Sequence, residues 1–531
     1  MVAPCELPIN TRASANEMAQ TMFGDGVTIV SASYTGDRDS SGIFTNGDSV
    51  SPGVTPSDRG VMFSTGDLEG FTNSPGFWWN PGQANQSNST TTSSSGPNGV
   101  SQFNQAAGAS TFDASYMDVD FIPTGDVMTM QFVFASEEYP EYATGIYQDF
   151  VGVWINGSQV DLEVGDGDID PNNLNAGSNT NLFVSNMNSD YNTEMDGFTV
   201  TMTLTIPVNS GQVNSIRIGI ADVLDANYDS TLLIAADSVQ TTLVARADTG
   251  TIYPNGSVTT DVLANDVNVT GGSLTITHIN GQAVVAGSTI TLGTGQSVTL
   301  NADGTLTTTG DGDVETVNFT YKVQSSTGQT DTGFVTINSI PCFVAGTLIL
   351  TPSGQVPVDW LTRGDMVMTR DDGPQPLRWV GSRTVPATGQ FAPICIRAGA
   401  FGTHEELWVS PEHRILIRDA LAELLFAEPE VLIAAKHLVN DRSVRRIEGG
   451  MVEYCHLMFD RHQVVISEGL ETESFLPGPQ AAHSFAPDTL AEICALFPEL
   501  DPETGTGYSP AARRTLRAHE ARLWMAERRV A

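Results

Sequence analysis

From its start to about residue 485 the chain is built of short runs of apolar, β-branched and aromatic residues, broken by Gly, Asn, Asp and Ser. This patterning constrains the fold more than any other feature. "VMTMQFVFASEEY" and "FTVTMTLTIPV" alternate apolar with polar side chains, the period of a half-buried strand. With 51 glycines in 531 residues, turn positions are abundant. Only two stretches read as helix. One is the first twenty residues. The other is 486–531, where "PDTLAEICALFPEL" and "SPAARRTLRAHEARLWMAERR" space their apolar residues helically, with Ser509 as cap and Pro510 in the first turn.

A chain of 531 residues exceeds one core. Residues 1–242 read as one β domain, within which "NQSNSTTTSSSGPNG" (85–99) is low-complexity and expected as a mobile surface loop. Residues 243–339 form a second, smaller β-sandwich, with a hairpin predicted at "SVTLNADGTLTTTG". Residues 341–478 stay β-patterned while their loops gain Arg, His, Trp and Pro, and 479–531 form a helical tail.

The net charge is −38, spread unevenly. Residues 1–340 hold 6 Lys and Arg against 37 Asp and Glu, a net of −31. Such a surface repels phosphate, which argues against nucleic acid and anionic membranes as partners. No apolar run is long enough to span a membrane. "MVAPCELPINTRASANEMAQ" lacks a basic region before an apolar core, so export is expected by a signal-less route such as type I secretion. Acidic side chains on a Gly/Asn/Ser-rich frame suit a solvated extracellular surface or calcium sites. "GDGDIDPNN" sets Asp166, Asp168 and Asp170 at alternate positions, like the start of a calcium loop, but without its turn glycine and closing glutamate. Calcium and a solvated turn both stay open there. The same holds for Asp196, Asp222, Asp225 and Asp229, which either bind calcium or hold turns.

Five cysteines at wide spacing give neither a disulfide framework nor a CxxC metal pair. Cys5 is the only one before Cys342, and seven of the eight histidines follow residue 400. The residues suited to nucleophilic attack and proton transfer therefore gather in the last third. There, "PCFVAGTLILTPSGQVPVDWLTRGDMV", "LWVSPEHRILI" and "YCHLMFDRHQVVISEGLETESFLPG" resemble, in order, three blocks of the Hint domain. That is the self-processing module shared by hedgehog proteins and inteins, and the resemblance is to the bacterial type without a splicing end.

The resemblance implies an all-β module with short C-terminal helices. Cys342 would attack the Pro341 carbonyl carbon, turning the amide into a thioester with no cofactor. His413 would protonate the leaving amide nitrogen, assisted by Ser410, which stands where relatives have Thr. His462, with Asp460 nearby, would activate the second nucleophile, and His456, on the strand face of Tyr454, is another candidate. Cys395, Cys455 and Cys494 read as core residues. The acyl acceptor stays open between water, an amine and an alcohol. No terminal His-Asn pair is present for splicing.

Further upstream, "FVFASEEYPEYATGIYQDFVGVWING", "EMDGFTVTMTLTIPV" and "IRIGIADVLDANYDSTLLI" resemble the choice-of-anchor L domain of bacterial surface proteins. "DVLANDVN", "LNADGTLT" and "VNFTYKV" resemble cadherin-like or Ig-like adhesin repeats. Together these imply a mainly β, extracellular or cell-surface protein with a surface or matrix ligand. Two functions remain open: self-processing at Pro341–Cys342, or a non-cleaving adhesin with a passive Hint fold.

Overall fold

The computed structural model describes residues 2–75, 82–143, 145–165, 167–252, 257–311, 316–338, 342–387, 392–426, 428–440 and 442–476, and in the tail 497, 509, 511–516, 520–521, 524–525 and 528. Two sheets make up the first region. An eight-stranded sheet runs Ile9–Asn10, Ser41–Thr45, Arg59–Ser64, Ser230–Ala235, Val127–Ser136, Gly197–Thr199, Phe183–Ser185, and Met202–Pro207 also pairs with Val127–Ser136. A five-stranded sheet runs Val27–Thr35, Thr111–Pro123, Asn214–Val223, Phe150–Ile155, Ser158–Gln159. They pack face to face: Phe63, Phe132 and Leu232 of the first meet Met117, Phe121, Val153 and Ile218 of the second in one core.

The larger sheet is buried on its other face too, where Met62, Val133, Leu233 and Phe198 pack under Leu7, Leu68 and Phe71. Hence Val127–Ser136 does not alternate inside and outside. Its polar members Thr129 and Gln131 are as buried as its apolar ones. The helix Ala15–Met22 forms as expected, closed by a reciprocal cap in which Glu17 N–H donates to Ser14 Oγ and Ser14 N–H donates to Glu17 Oε2. A second helix, Ser101–Ala107, covers the outer face of the smaller sheet through Phe103, which meets Trp154 edge-on at 4.8 Å. Its sequence, SQFNQAA, is too short and polar to show a helical period.

The 85–99 stretch is not a loose loop. Gln86 and Ser87 N–H donate to Glu194 at 3.0 and 2.8 Å, Thr92 N–H to Asp229 at 3.0 Å, and Ser95 N–H to Asp37 at 2.8 Å. Backbone donors without a strand partner have found carboxylates instead, which low complexity cannot reveal.

In the middle region a five-stranded and a four-stranded sheet close over one core that includes Val298, Leu306, Phe319 and Tyr321. The expected hairpin is present: Ser297–Leu300 pairs with Leu306–Thr309, and Gly304 takes φ +91° in the turn. In the last region, a six-stranded sheet is ordered Trp379–Pro386, Met451–Met458, Phe343–Val344, Leu407–Val409, Ile394–Ile396, Val444–Arg446. A nine-stranded sheet accompanies it, and Phe343, Ile394, Ile415, Val431, Leu457 and Val465 share one core. Cys395 and Cys455 are buried there, and Cys494 lies outside the described residues.

The tail departs from the helical expectation at 511–516. Arg514–Thr515 is a strand, paired parallel to Glu430–Ala434, and helix is found at 520–521, 524–525 and 528. Ser509 Oγ accepts the His462 N–H at 2.8 Å, and Pro510 lies outside the described residues. Strand pairing and the burial of Leu516 override helical spacing there, while Ala521 and Trp524 join the same core from helical positions.

Candidate functional site

The site follows from one register. Phe343–Val344 is a two-residue strand wedged between Met451–Met458 and Leu407–Val409. Phe343 pairs with Cys455 on one side and Val409 on the other, both antiparallel. One step back, the same register sets Cys342 opposite His456 and Ser410. The contacts agree. Cys342 Sγ lies 3.4 Å from His456 Nε2. Cys342 N–H donates to Ser410 Oγ at 2.8 Å, and Ser410 N–H donates back to Cys342 O at 2.9 Å. The thiol, an imidazole and a hydroxyl thus converge on one buried backbone unit.

Burial pushes the Cys342 thiol well above its ordinary range, and the Ser410 hydroxyl only partly offsets it. A thiolate is therefore not preformed, and attack by sulfur requires a base at hand. His456 is the group within reach. Its ring is held by Trp379 at 6.4 Å and Phe475 at 5.6 Å.

His413 lies 1 % exposed with its ring 4.3 Å from that of Phe343, the residue after the cysteine. Among the described residues neither ring nitrogen has a hydrogen-bond partner. Burial, reinforced by the Arg414 charge, lowers its pKa to about 4 against the pull of Glu473, so it is neutral near pH 7. The strand leaving it is clamped: Arg414 N–H and guanidinium donate to the two oxygens of Glu473 at 2.9 and 3.0 Å. Burial alone would raise the Glu473 pKa, but Arg414 and His462 overcome it and hold the group near 2.

His462 is committed elsewhere. Its Nδ1 accepts the Ala512 N–H at 2.9 Å, which fixes the proton on Nε2, and Nε2 donates to Ser474 O at 3.1 Å. The carboxylate beside it is Glu473, 3.5 Å away, not Asp460. Asp460 faces the solvent side, 3.1 Å from the Arg378 guanidinium. Among the described residues the imidazole that meets the Cys342 thiol is that of His456, the other candidate the sequence offered. Glu473 carried no sequence signal: a glutamate two residues from another, in "ETES", reads as a solvated strand edge. Pro341 lies outside the described residues.

Of the calcium candidates, Asp170 Oδ1 accepts the Asn173 N–H at 2.8 Å, a turn-holding role, and Asp168 contributes its backbone carbonyl to Asn173 Nδ2 at 2.8 Å. Asp166 lies outside the described residues. Asp229 and Asp196 bond to the 85–99 stretch, through Thr92 and Asn85. Asp225 Oδ1 accepts the Asn227 N–H at 3.1 Å.

Residues 341–479 match the Hint domain model. Residues 8–240 match the choice-of-anchor L domain and 240–338 a bacterial Ig domain. No match was found among curated proteins. Among solved structures, a bacterial intein-like domain from Clostridium thermocellum is 17% identical, covering 25% of this chain and 97% of its own, with a TM-score of 0.18. The MchDnaB-1 intein is 16% identical over 25% of this chain and 98% of its own, with a TM-score of 0.17. The gp41-1 intein is 11% identical over 25% and 97%, also with a TM-score of 0.17. Likenesses at these scores add no argument, and the assignment rests on the family models. The choice-of-anchor and Ig domains suggest a surface or extracellular protein. Among the described residues no helix is long and apolar enough to cross a membrane.

Proposed function

We propose that this is a secreted or surface protein whose Hint domain cuts, once, the bond between Pro341 and Cys342. The observation that carries this reading is the convergence of His456 Nε2 and Ser410 Oγ on Cys342, at 3.4 and 2.8 Å. Cys342 Sγ attacks the Pro341 carbonyl carbon as His456 takes the thiol proton. The C–S bond forms, the C–N bond breaks, and the amide nitrogen gains a proton to become the free amine of Cys342. That proton is the one His456 took from the thiol, and Ser410 Oγ, which accepts the Cys342 N–H at 2.8 Å, holds the nitrogen in place as the bond breaks. His413, neutral beside Phe343 and without a ring-nitrogen partner among the described residues, supplies the second imidazole. A correctly placed acid or base of this kind is worth about 10²–10⁴-fold. The thioester is then hydrolysed by water or taken by an amine or alcohol, and the first two domains are released or attached to the acceptor.

One observation favours a second reading, a non-cleaving surface adhesin. The thiol is buried and its pKa raised, which suits a silent core cysteine equally well. Intact mass of the full chain, beside Cys342→Ala, with and without dithiothreitol or hydroxylamine, separates the two. Cleavage between Pro341 and Cys342 in the native chain alone supports self-processing, and added mass on the first fragment identifies the acceptor. An intact native chain under strong thiol sinks it.

A further inference from the structure

We propose that the first domain binds a divalent, oxygen-seeking cation of the calcium class at Glu138, Asp149 and Asp222. The three come from both sheets. Glu138 follows the strand Val127–Ser136, Asp149 precedes Phe150–Ile155, and Asp222 sits at the register shift of Asn214–Val223. All are buried, at 2%, 1% and 3% exposure. Two hydroxyls join them. Ser230 Oγ donates to Asp149 Oδ2 at 2.6 Å and stands 2.8 Å from Ser136 Oγ, which accepts the Glu138 N–H at 2.9 Å.

The donors run out before the acceptors do. Glu138 Oε2 and Asp222 Oδ1 are buried with no hydrogen-bond partner among the described residues. A buried carboxylate without partner or counter-charge is among the costliest groups a fold can hold. Among the described residues no basic side chain is among the charges that act on the three. Residues 1–242 contain four arginines and no lysine. Arg217 is engaged by Asp118 at 2.8 Å, and Arg59 by the Thr21 hydroxyl at 3.0 Å. The charges that press hardest on the three groups are all acidic. Burial, then Asp149 and Asp225, push Glu138 up to about 9. Burial, with Asp225 adding, raises Asp149 to about 8, and burial with Asp149 and Asp229 raises Asp222 well above the ordinary carboxylate range. Either protons or a cation must balance this site, and a hard dication satisfies several oxygens at once.

Among the described residues no three acidic, His or Cys side chains already stand in metal-holding geometry. The cation therefore draws the carboxylates inward and completes its shell with Ser136, Ser230 and water oxygens. Extracellular calcium modules bind at about 10⁻⁴–10⁻³ M, which sets the range to titrate.

The test uses the full chain stripped with EDTA. Tyr142 and Tyr228, with rings 5.1 Å apart, sit beside Glu138, for Tyr142 N–H donates to Glu138 O at 2.9 Å. They can sensitise terbium bound at the site. Calcium chloride should displace terbium emission and raise the melting temperature by about 5 °C at about 10 mM. The double variant Glu138→Gln, Asp222→Asn should lose both responses while melting in EDTA no lower than the native chain, because neutral amides relieve the repulsion. The proposal is overturned if calcium leaves the native melting temperature unmoved, or if the double variant keeps the shift. Should the double variant fail to fold, Asp222→Asn is titrated alone: a tenfold or greater loss of calcium affinity upholds the proposal and an unchanged affinity overturns it.

Discussion

At the residue scale, two histidines six positions apart do different work. His456 touches the thiol, while both ring nitrogens of His462 are bonded to the surrounding backbone. His456→Gln should slow thiol-induced cleavage about 10²–10⁴-fold with little change in melting. His462→Gln should instead lower the melting temperature, because it strips the Ala512 N–H of its acceptor and leaves Glu473 with one partner fewer. Cleavage followed by mass, beside a melting curve for each variant, checks both halves. Equal loss of cleavage in two stably folded variants would return His462 to the site.

At the scale of elements, the site depends on strands that hold charges out of water. His413 opens Arg414–Arg418, and Glu473 ends Leu470–Glu473, which pairs with it. His413 stays neutral at about 4 in the fold, against an ordinary value of 6.5. The unfolded chain then binds more protons than the fold between those values, so stability falls as pH drops from 6.5 to about 4. The gap corresponds to about 3 kcal/mol. Glu473 acts in the same sense lower down. Its folded value near 2 lies below the ordinary 4.5, so the stability it lends above 4.5 is lost as pH falls towards 2. Urea unfolding of the full chain between pH 4 and 7 should show the first loss, and His413→Asn should flatten it. A slope unchanged in that variant would place the titrating group elsewhere.

On the scale of the whole molecule, the first two domains share structure. Phe334 belongs to the strand Thr330–Asn338 of the Ig-like domain, yet it packs into the core of the first. Gln131 and Gln240 side chains both donate to Thr330 O, at 3.0 and 2.8 Å. Phe334→Ala should cost about 3–5 kcal/mol and split a joint melting transition into two. Calorimetry would show it, and a single transition at unchanged temperature would mean the domains melt without reference to that contact.

The sequence alone determined the β character, the hairpin at 297–309, the first helix and the three family resemblances. These depend on local periodicity, turn residues and motif order, which are written along the chain. It also put Cys342, Ser410 and His413 on one short list, since their blocks carry recognisable spacing. Tertiary structure alone decided which imidazole meets the thiol. That choice follows from the pairing of Phe343 with Cys455 and Val409, between segments 66 and 112 residues away. It alone decided that the 85–99 stretch is tied to buried carboxylates and that Val127–Ser136 is covered on both faces. The physical reason is the same in each case. Register, burial and the supply of hydrogen-bond partners belong to pairs of distant segments, and no local pattern encodes them.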